Sequence, residues 1–482
     1  MSTPTKQPEN KRVVLCYGAW ILFFIVSVCM AVTATTLLVL DYNPRSASRA
    51  TTKTVVTAET QLVWREHLLA QAPPSLHTAW RLPDSPESRA LQWMLLHDDV
   101  HTSKSDELPS LQRFALIATY LHFGWTIPSR EDECAWESIA CNQDTAVIAF
   151  RPTTTLAVGT IIPTALTYLT HLQTLEVPRL GLQGQLPAQA HAWTDLRVLH
   201  LPGNHLTGVF LHDYKEDGET FYWSHLEHLD VSLNRLAETI PSRIRTAWTQ
   251  LRVFNVRGNW NLRGNVLEMA IPHWLRTLER LELGETACGG SLPDSFVLDD
   301  TTEIPLEILA AAYTPIEGSS LPTTLGVAAP HLRILSLGLG NSLSSWVPGP
   351  IPASYATGLT SLEQVSLVDL RLTGTLPTTV AWPALRALDL YSNPNLTGTI
   401  PKAWGTDLPN VQIIRLVETG LTGTVPVEWG HMTKLTDLGL HRTGLTGRYA
   451  AAPTGPSPQS ILPLLFYLPP AVYPMKFASF QI

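Results

Sequence analysis

The chain has 482 residues, a formal net charge of −8 at pH 7 and only 15% charged residues. That length exceeds what a single compact core usually organises, so we expect an elongated or multi-part architecture. No basic patch stands out along the sequence, and we therefore expect no nucleic-acid partner. The mild acidity favours solubility and says little about the class of ligand.

An uncharged apolar segment covers residues 13–40 and follows Lys11 and Arg12. About 20 apolar residues cross a bilayer, so the segment predicts one transmembrane helix, a signal anchor behind a short cytoplasmic tail of residues 1–12. The alternative is a cleavable signal peptide that ends near Ala34, although this apolar region is longer than the usual ~7–15 residues. Either segment directs the chain into the secretory route.

Residues 41–82 are rich in Ala, Thr, Ser and Arg and lack sustained periodicity, which predicts a stalk with a short helix over residues 61–69. The stretch Ser85-Pro86-Glu87 is typical of a helix start, with a capping hydroxyl, then proline in the first turn, then an acid. Two helices are expected to follow, over residues 89–93 and 111–120.

The densest group of possible metal ligands is His97-Asp98-Asp99-Val100-His101. On a helix its two histidines would share a face. No third ligand stands at a recognisable spacing, however, and no glutamate is placed as in HExxH. We interpret the stretch as a polar helix end and predict no metal site in the chain.

One short pattern recurs over residues 145–450: Leu-x-x-Leu-x-Leu, four or five further residues, then Leu-x-Gly-x-Leu/Ile/Val-Pro. A period of about 26 residues with this pattern is the signature of a leucine-rich repeat solenoid. A strand around Ile148 and Phe150 is expected to form an additional capping unit. The eleven further units begin at Leu172, Leu196, Leu226, Leu251, Leu278, Leu306, Leu332, Leu362, Leu385, Val411 and Leu435.

The Leu-x-Leu pairs alternate with period 2, as residues of a strand do, so Leu175 and Val177, or Leu388 and Leu390, should point into the core. Twelve such strands at ~4.8 Å each make a parallel sheet roughly 55 Å long. The predicted fold class is α/β: a right-handed leucine-rich repeat solenoid, or horseshoe, with the parallel β-sheet on its concave face. A helical N-terminal cap and one transmembrane helix precede it.

Other residue types keep the same period. An Asn follows four of the strands, and its buried side chain is expected to bridge backbone groups of adjacent coils. A Trp precedes three strands by three residues; it could stack on a ligand, but we favour packing between coils because the position keeps the repeat register. Cys288 stands where other units have leucine, which predicts a buried core thiol. These Asn and Trp residues are Asn204, Asn234, Asn259 and Asn393, and Trp193, Trp248 and Trp382.

The Leu-x-Gly-x-Ile-Pro ending resembles the plant-type leucine-rich repeat of receptor-like proteins and receptor-like kinases. Trp125 and the stretch Cys134-Ala-Trp136-Glu-Ser-Ile-Ala-Cys141 are similar to the N-terminal cap of that family, in which two cysteines close a short loop beside a tryptophan. The resemblance therefore implies a Cys134–Cys141 disulfide. The two predicted helices upstream, within a cap region of residues 83–144, resemble the pre-repeat segment of the large families of such proteins in diatoms and related algae.

Membrane orientation does not follow from charge, because three basic residues lie on each side of the apolar segment. The cap cysteines favour an oxidising compartment, and Asn395-Leu396-Thr397 is an N-glycosylation sequon on a repeat turn. We therefore expect a single-pass membrane protein with a cytoplasmic N-terminus and extracellular or lumenal repeats, or a secreted protein if the segment is cleaved. The Pro-rich residues 451–482 either cover the end of the solenoid or reflect a misplaced gene end.

The outward residues of the strands line the concave face, and they are the candidate ligand-binding residues. The N-terminal half of this set is acidic and carries histidine, which suits a basic peptide or a polar glycan held by charge-assisted hydrogen bonds. For any one residue the alternative is an ordinary solvated strand face. The candidates are Glu176, His200, Asp230, Asn255, Arg257, Glu282, Asp389, Tyr391 and Arg415.

No Gly-rich phosphate loop, nucleophile elbow or kinase signature occurs in the sequence, so we expect neither an enzyme nor a cofactor. The favoured function is a membrane-anchored, receptor-like recognition protein that binds a protein, peptide or glycan. Residues 13–40 would hold it in the membrane. The cytoplasmic tail is too short for a kinase, so a signal would have to pass through a partner chain, such as a co-receptor. The alternative is a secreted extracellular binding protein similar to glycosidase inhibitors.

Overall fold

The structure, a computed structural model, describes most of the chain between residues 58 and 446. The predicted tail, anchor and C-terminal segment lie outside the described residues, as do positions 98–101 of the histidine-rich stretch. Among the described residues, no helix is long and apolar enough to cross a membrane. The anchor at residues 13–40 lies outside them and stays a prediction. The described ranges are 58–71, 84–97, 110–128, 132–156, 159–209, 223–298, 303–318, 320–339 and 346–446.

One long sheet runs through the repeats, with thirteen strands among the described residues, and its spatial order follows the chain order. The first two strands pair antiparallel, and every later pair is parallel. This confirms the predicted solenoid with its parallel sheet and adds one antiparallel edge strand. The strands are Ile139–Cys141, Val147–Phe150, Thr174–Glu176, Val198–His200, His228–Asp230, Val253–Asn255, Arg280–Glu282, Ile308–Thr314, Ile334–Leu339, Gln364–Val368, Ala387–Asp389, Ile413–Arg415 and Asp437–Gly439.

The Leu-x-Leu pairs point into the core, as their period predicts. Leu175, Val177, Leu388 and Leu390 are all buried. The unit that begins at Leu306 departs most from the repeat pattern, yet its Leu309 pairs in register with the leucines of both neighbouring strands and is fully buried. Register is therefore set by these inward positions, even where the rest of the unit has drifted from the pattern.

A second parallel sheet forms from the Leu-x-Gly segments, which the sequence did not predict to be strands. It has five strands: Gln183–Gly184, His205–Val209, Arg235–Thr239, Asn261–Gly264 and Ala287–Cys288. Three parallel pairs continue the arrangement: Gly290–Ser291 with Ile316–Glu317, Gly374–Thr375 with Leu396–Thr397, and Thr422–Gly423 with Gly444–Leu445. Gly398 has a φ of +88°, and a Cβ there would lie 2.9 Å from Thr375 Cγ2, so this tight bend requires glycine.

Helices occupy the N-terminal region and the returns between the two layers. The three that precede the repeats are α1 (Ala58–Gln71), α2 (Pro86–His97) and α3 (Leu111–Phe123). The short helices in the repeats are Ile244–Ala247, Val266–Trp274, Leu325–Ala328, Ala353–Gly358 and Trp404–Asp407, with single 3-10 turns at Glu133–Ala135, Thr164–Tyr168, Ala188–Ala192 and Val427–His431.

Helix α3 seals the first coil, and most of its side chains are buried. Its Arg113 is fully buried and bonds Glu133 at 3.0 Å, because a charge in that position needs a partner. The side chains of Cys134 and Cys141 form a disulfide bond, which confirms the pairing implied by the family resemblance.

Buried asparagines hold successive coils together, as the sequence predicts. The Asn234 Oδ1 accepts the backbone N–H of Leu206 at 3.0 Å, and its Nδ2 donates to the carbonyl of Leu201 at 3.0 Å. Both partners lie in the preceding coil, while a further bond to the Val231 carbonyl stays within its own coil. Asn204, Asn259 and Asn393 make equivalent bonds.

The repeated tryptophans also pack between coils, as we favoured. Trp193 is fully buried, and its indole N–H donates to the Leu166 carbonyl of the preceding coil at 3.2 Å. Trp382 repeats this bond to Tyr355 at 2.9 Å. Several coils are thus bonded to the one before them through an indole, and at four positions through an amide.

We expect replacement of Asn234 by Ala to lower the free energy of unfolding by about 2–4 kcal/mol, because it leaves buried backbone groups of two coils unpaired. Asn234→Thr should cost less, since Thr419 bonds its own coil from the same repeat position. Urea unfolding of the full chain followed by tryptophan fluorescence measures both. The exposed Asn395→Ala is the matched control, and equal losses for Asn234→Ala and this control would contradict the bridging role.

We expect the Cys288 thiol to resist alkylation in the folded chain. Burial raises the pKa of Cys288 to about 12, which reduces the thiolate fraction at pH 8 about a thousandfold relative to an ordinary thiol. Iodoacetamide labelling, quantified on the Cys288 peptide by mass spectrometry, should be absent in buffer and complete in urea. Equal labelling in both conditions would show that the thiol is not in the core.

Candidate ligand-binding face

All nine candidate residues lie on the long sheet or within two residues of its strands. Asn255 and Asp389 are buried, Tyr391 is exposed, and the other six are half-buried. Their side chains are spread over many strands of the sheet. Only a few neighbouring residues can therefore contact the same point of a ligand. The face is therefore best described as local clusters along the sheet.

Most acidic residues of the N-terminal half are already paired with arginine. Glu176 Oε1 lies 3.2 Å from Arg151 Nε, and Glu282 Oε1 lies 2.7 Å from Arg280 Nη2. Arg257 likewise bonds a carboxylate outside the predicted set, that of Glu285, at 3.1 Å. The negative charge available to a ligand is consequently smaller than the sequence alone suggested.

A ladder of arginine and glutamate pairs follows the starts of the strands. Arg197 bonds Glu227 at 2.6 Å, and Arg333 bonds Glu363 at 2.7 Å, each pair joining two neighbouring strands. Exposed pairs of this kind contribute roughly 0–1 kcal/mol each. The ladder was missed because its partners stand about a full repeat apart in the sequence.

His200, His228 and Asp230 form a cluster near the N-terminal end of the sheet. His228 lies two residues before Asp230 on one strand and so shares its face, and His200 is the direct cross-strand partner of Asp230. His200 Nδ1 lies 3.8 Å from Asp230 Oδ2, and the two imidazole rings are 5.6 Å apart. One nitrogen or oxygen from each of the three side chains lies within 4.8 Å of the others.

The surroundings of this cluster fix the carboxylate and leave one histidine nitrogen unsatisfied. Ser232 donates to Asp230 Oδ1 from its backbone N–H at 3.0 Å and from its hydroxyl at 2.7 Å. Asn255 Nδ2 approaches Asp230 Oδ2 at 3.3 Å. The Nε2 of His228 is buried and has no hydrogen-bond partner among the described residues. Burial, followed by the neighbouring His200, lowers the pKa of His228, which favours the neutral ring.

In the C-terminal half, Arg415 lies between two carboxylates. Its Nη2 bonds Asp437 Oδ2 at 2.6 Å, while its Nη1 is 3.7 Å from Asp389 Oδ2, beyond hydrogen-bond distance. Burial raises the pKa of Asp389. Asp389 Oδ2 is buried and has no hydrogen-bond partner among the described residues.

Two tyrosines near this point present their rings to solvent: Tyr391 is 37% exposed and Tyr313 is 43% exposed. Burial of the hydroxyl end raises the pKa of Tyr313, and the nearby carboxylates of Asp389, Glu285 and Asp369 add to the rise. The repeat pattern did not single out Tyr313, which lies one residue before the end of the strand Ile308–Thr314 in the least regular unit.

The predicted glycosylation residue, Asn395, is exposed directly before the Leu396–Thr397 strand of the second layer. It lies apart from the outward residues of the long sheet. The sequon and the candidate ligand-binding residues therefore belong to different strands of the structure.

Comparisons with known proteins support the fold and a distant relationship. No protein-family model matches the chain. Receptor-like protein 18 of Arabidopsis thaliana is 36% identical over 100 residues, which cover 21% of this chain and 10% of that protein. The chain is thus similar to a plant receptor-like protein over about a fifth of its length. The likeness of the pre-repeat helices to algal families stays a prediction.

Among solved structures, the crystal structure of PEPR1–AtPEP1 has a TM-score of 0.50 and 21% identity, over 76% of this chain and 49% of that one. The plant peptide hormone receptor RGFR1 in complex with RGF2 has a TM-score of 0.49 and 26% identity, over 65% and 49%. The present chain spans about half the length of each of these structures. At this level the PEPR1–AtPEP1 structure shows the leucine-rich repeat fold alone.

Proposed function

We propose that this chain is a receptor-like recognition protein whose concave face binds a protein or peptide partner. The observation that carries the proposal is a sheet of thirteen strands whose outward side chains include exposed tyrosines beside carboxylates. Such a surface makes a long docking platform, which is the usual use of a solenoid. The stretch of identity with a plant receptor-like protein supports the same class of function.

The tyrosine pair is the part of the face best suited to anchor a partner. Tyr is enriched among the residues that dominate binding energy, because it offers a large ring and a hydroxyl at low entropic cost. Asp369 is exposed near Tyr313, and Glu418, which also bonds Arg442, lies near Tyr391. Carboxylates around aromatic rings select cationic side chains, which a peptide can supply and an ordinary neutral glycan cannot.

We further propose that residues 13–40 anchor the chain in a membrane with the repeats outside the cytoplasm. The Cys134–Cys141 disulfide supports this topology, because disulfides persist in oxidising compartments. The exposed Asn395 is open to glycosylation in the same compartment. A signal from the bound partner would then pass through a second chain, such as a co-receptor.

We expect the full chain to enrich lysine- or arginine-containing peptides from a phage library of random 12-residue sequences. The substitutions Tyr313→Ala and Tyr391→Ala should each weaken the enriched peptides at least tenfold, because each removes an aromatic anchor. Trp260→Ala is the matched control: Trp260 is 62% exposed but precedes a strand of the second sheet. Enriched peptides bound equally by all three variants would place recognition elsewhere and overturn the proposal.

Protease treatment of intact cells that express the full chain tests the topology. We expect the repeats to be digested from outside, while a fragment that contains residues 13–40 stays in the membrane. Glycosidase treatment should lower the mass of the peptide that carries Asn395. A soluble chain that begins near Thr35 would instead identify a secreted binding or inhibitor-like protein, and repeats protected from the protease would reverse the orientation.

A further inference from the structure

We propose that His200, His228 and Asp230 bind a divalent transition-metal ion of the zinc class on the concave face. The three side chains come from two neighbouring strands, and one donor atom of each lies within 4.8 Å of the others. The sequence pattern predicted no metal site, because His200 stands a whole repeat before His228 and Asp230. Only the register of the sheet brings them together.

The donor set selects the class of metal. Imidazole nitrogens together with a carboxylate oxygen suit zinc and its neighbours in the first transition row, whereas magnesium and calcium prefer oxygen ligands alone. Zinc–ligand bonds of about 2.0–2.2 Å at tetrahedral angles need donor atoms about 3.4 Å apart. His200 Nδ1 and Asp230 Oδ2 are 3.8 Å apart, about 0.4 Å more than this, and the donor atom of His228 lies within 4.8 Å of both.

The unsatisfied nitrogen of His228 is a second, independent observation that points to a ligand. Its Nε2 is buried from solvent and lacks a hydrogen-bond partner among the described residues. A buried polar atom without a partner costs roughly 1–3 kcal/mol, and native structures contain few of them. A metal ion coordinated by this nitrogen would remove that cost.

The residues around the cluster provide the support that metal ligands usually have. Ser232 holds Asp230 Oδ1 with two hydrogen bonds, while Oδ2 lies near His200 and accepts one long bond from Asn255 Nδ2. Such outer hydrogen bonds orient the ligands of metal sites and raise metal affinity. One cation that acts on His228, Arg280, is itself paired: its guanidinium bonds the carboxylate of Glu282 at 2.7 Å.

Three protein ligands leave an open coordination position, as in catalytic rather than structural zinc sites. That position belongs to the face on which we place the partner, so a carboxylate or imidazole of the partner could complete it; this consequence rests on the proposed function. The metal site itself does not, and it is tested in the absence of any partner.

The experiment is isothermal titration of zinc chloride into the purified, tag-free full chain after removal of metals with EDTA. We expect one saturable site per chain that persists in millimolar magnesium and calcium. Cobalt in place of zinc should give visible absorption bands from its imidazole and carboxylate ligands. His200→Ala and Asp230→Asn should each weaken zinc binding at least tenfold, while urea midpoints that match the wild type show that both variants fold.

The matched control is His171→Ala. His171 Nδ1 lies 3.2 Å from Asp195 Oδ2, so this pair offers the same donor types as the cluster, but it belongs to no three-ligand group within the described part of the chain. Zinc binding unaffected by His171→Ala and lost in His200→Ala supports the site. Equal weakening by both substitutions, or no saturable binding, overturns it. Loss of peptide binding in the tyrosine variants with zinc binding intact would separate this site from the recognition function.

Discussion

The fold depends on the contact between one coil and the next. A coil contributes a strand of only three to seven residues to the long sheet, which is too little to bury its own leucines. A fully buried leucine contributes about 1.5–3 kcal/mol, and here that burial requires the neighbouring coil. The asparagine and tryptophan bonds act at the same interface, because their carbonyl and N–H partners lie in the preceding coil. Stability is thus a property of neighbouring pairs of coils.

This arrangement leaves the outward strand positions free to vary without loss of the core. Most of their charges are nevertheless balanced locally, as in the pairs of Glu176 with Arg151 and Glu282 with Arg280. Such pairs keep the strands soluble and in register but add little binding energy of their own. The exceptions are the histidine cluster around Asp230 and the exposed side chains of Tyr313 and Tyr391, and these are where we propose that binding takes place.

The repeat period predicted the parallel sheet and its inward residues, even at Leu309 in the least regular unit. It did not predict the second sheet, since Leu-x-Gly segments lack the alternation by which strands are recognised. It also missed His228 as a site residue. The position of His228 on the face follows from period 2, but its approach to His200 depends on the register of two strands a repeat apart. Sequence periodicity fixes which way a residue points, whereas contacts between residues of different coils require the structure.

Buried polar atoms without a hydrogen bond are places where the folded chain carries an uncompensated desolvation cost. Four side-chain atoms of the described residues are buried without a hydrogen bond, and two of them, His228 Nε2 and Asp389 Oδ2, lie on strands of the long sheet. Their strands are six apart in the sheet order, or about 29 Å at ~4.8 Å per strand. An extended segment advances about 3.3 Å per residue, so roughly nine residues would reach from one atom to the other. A single peptide of that length therefore spans the distance between these two strands.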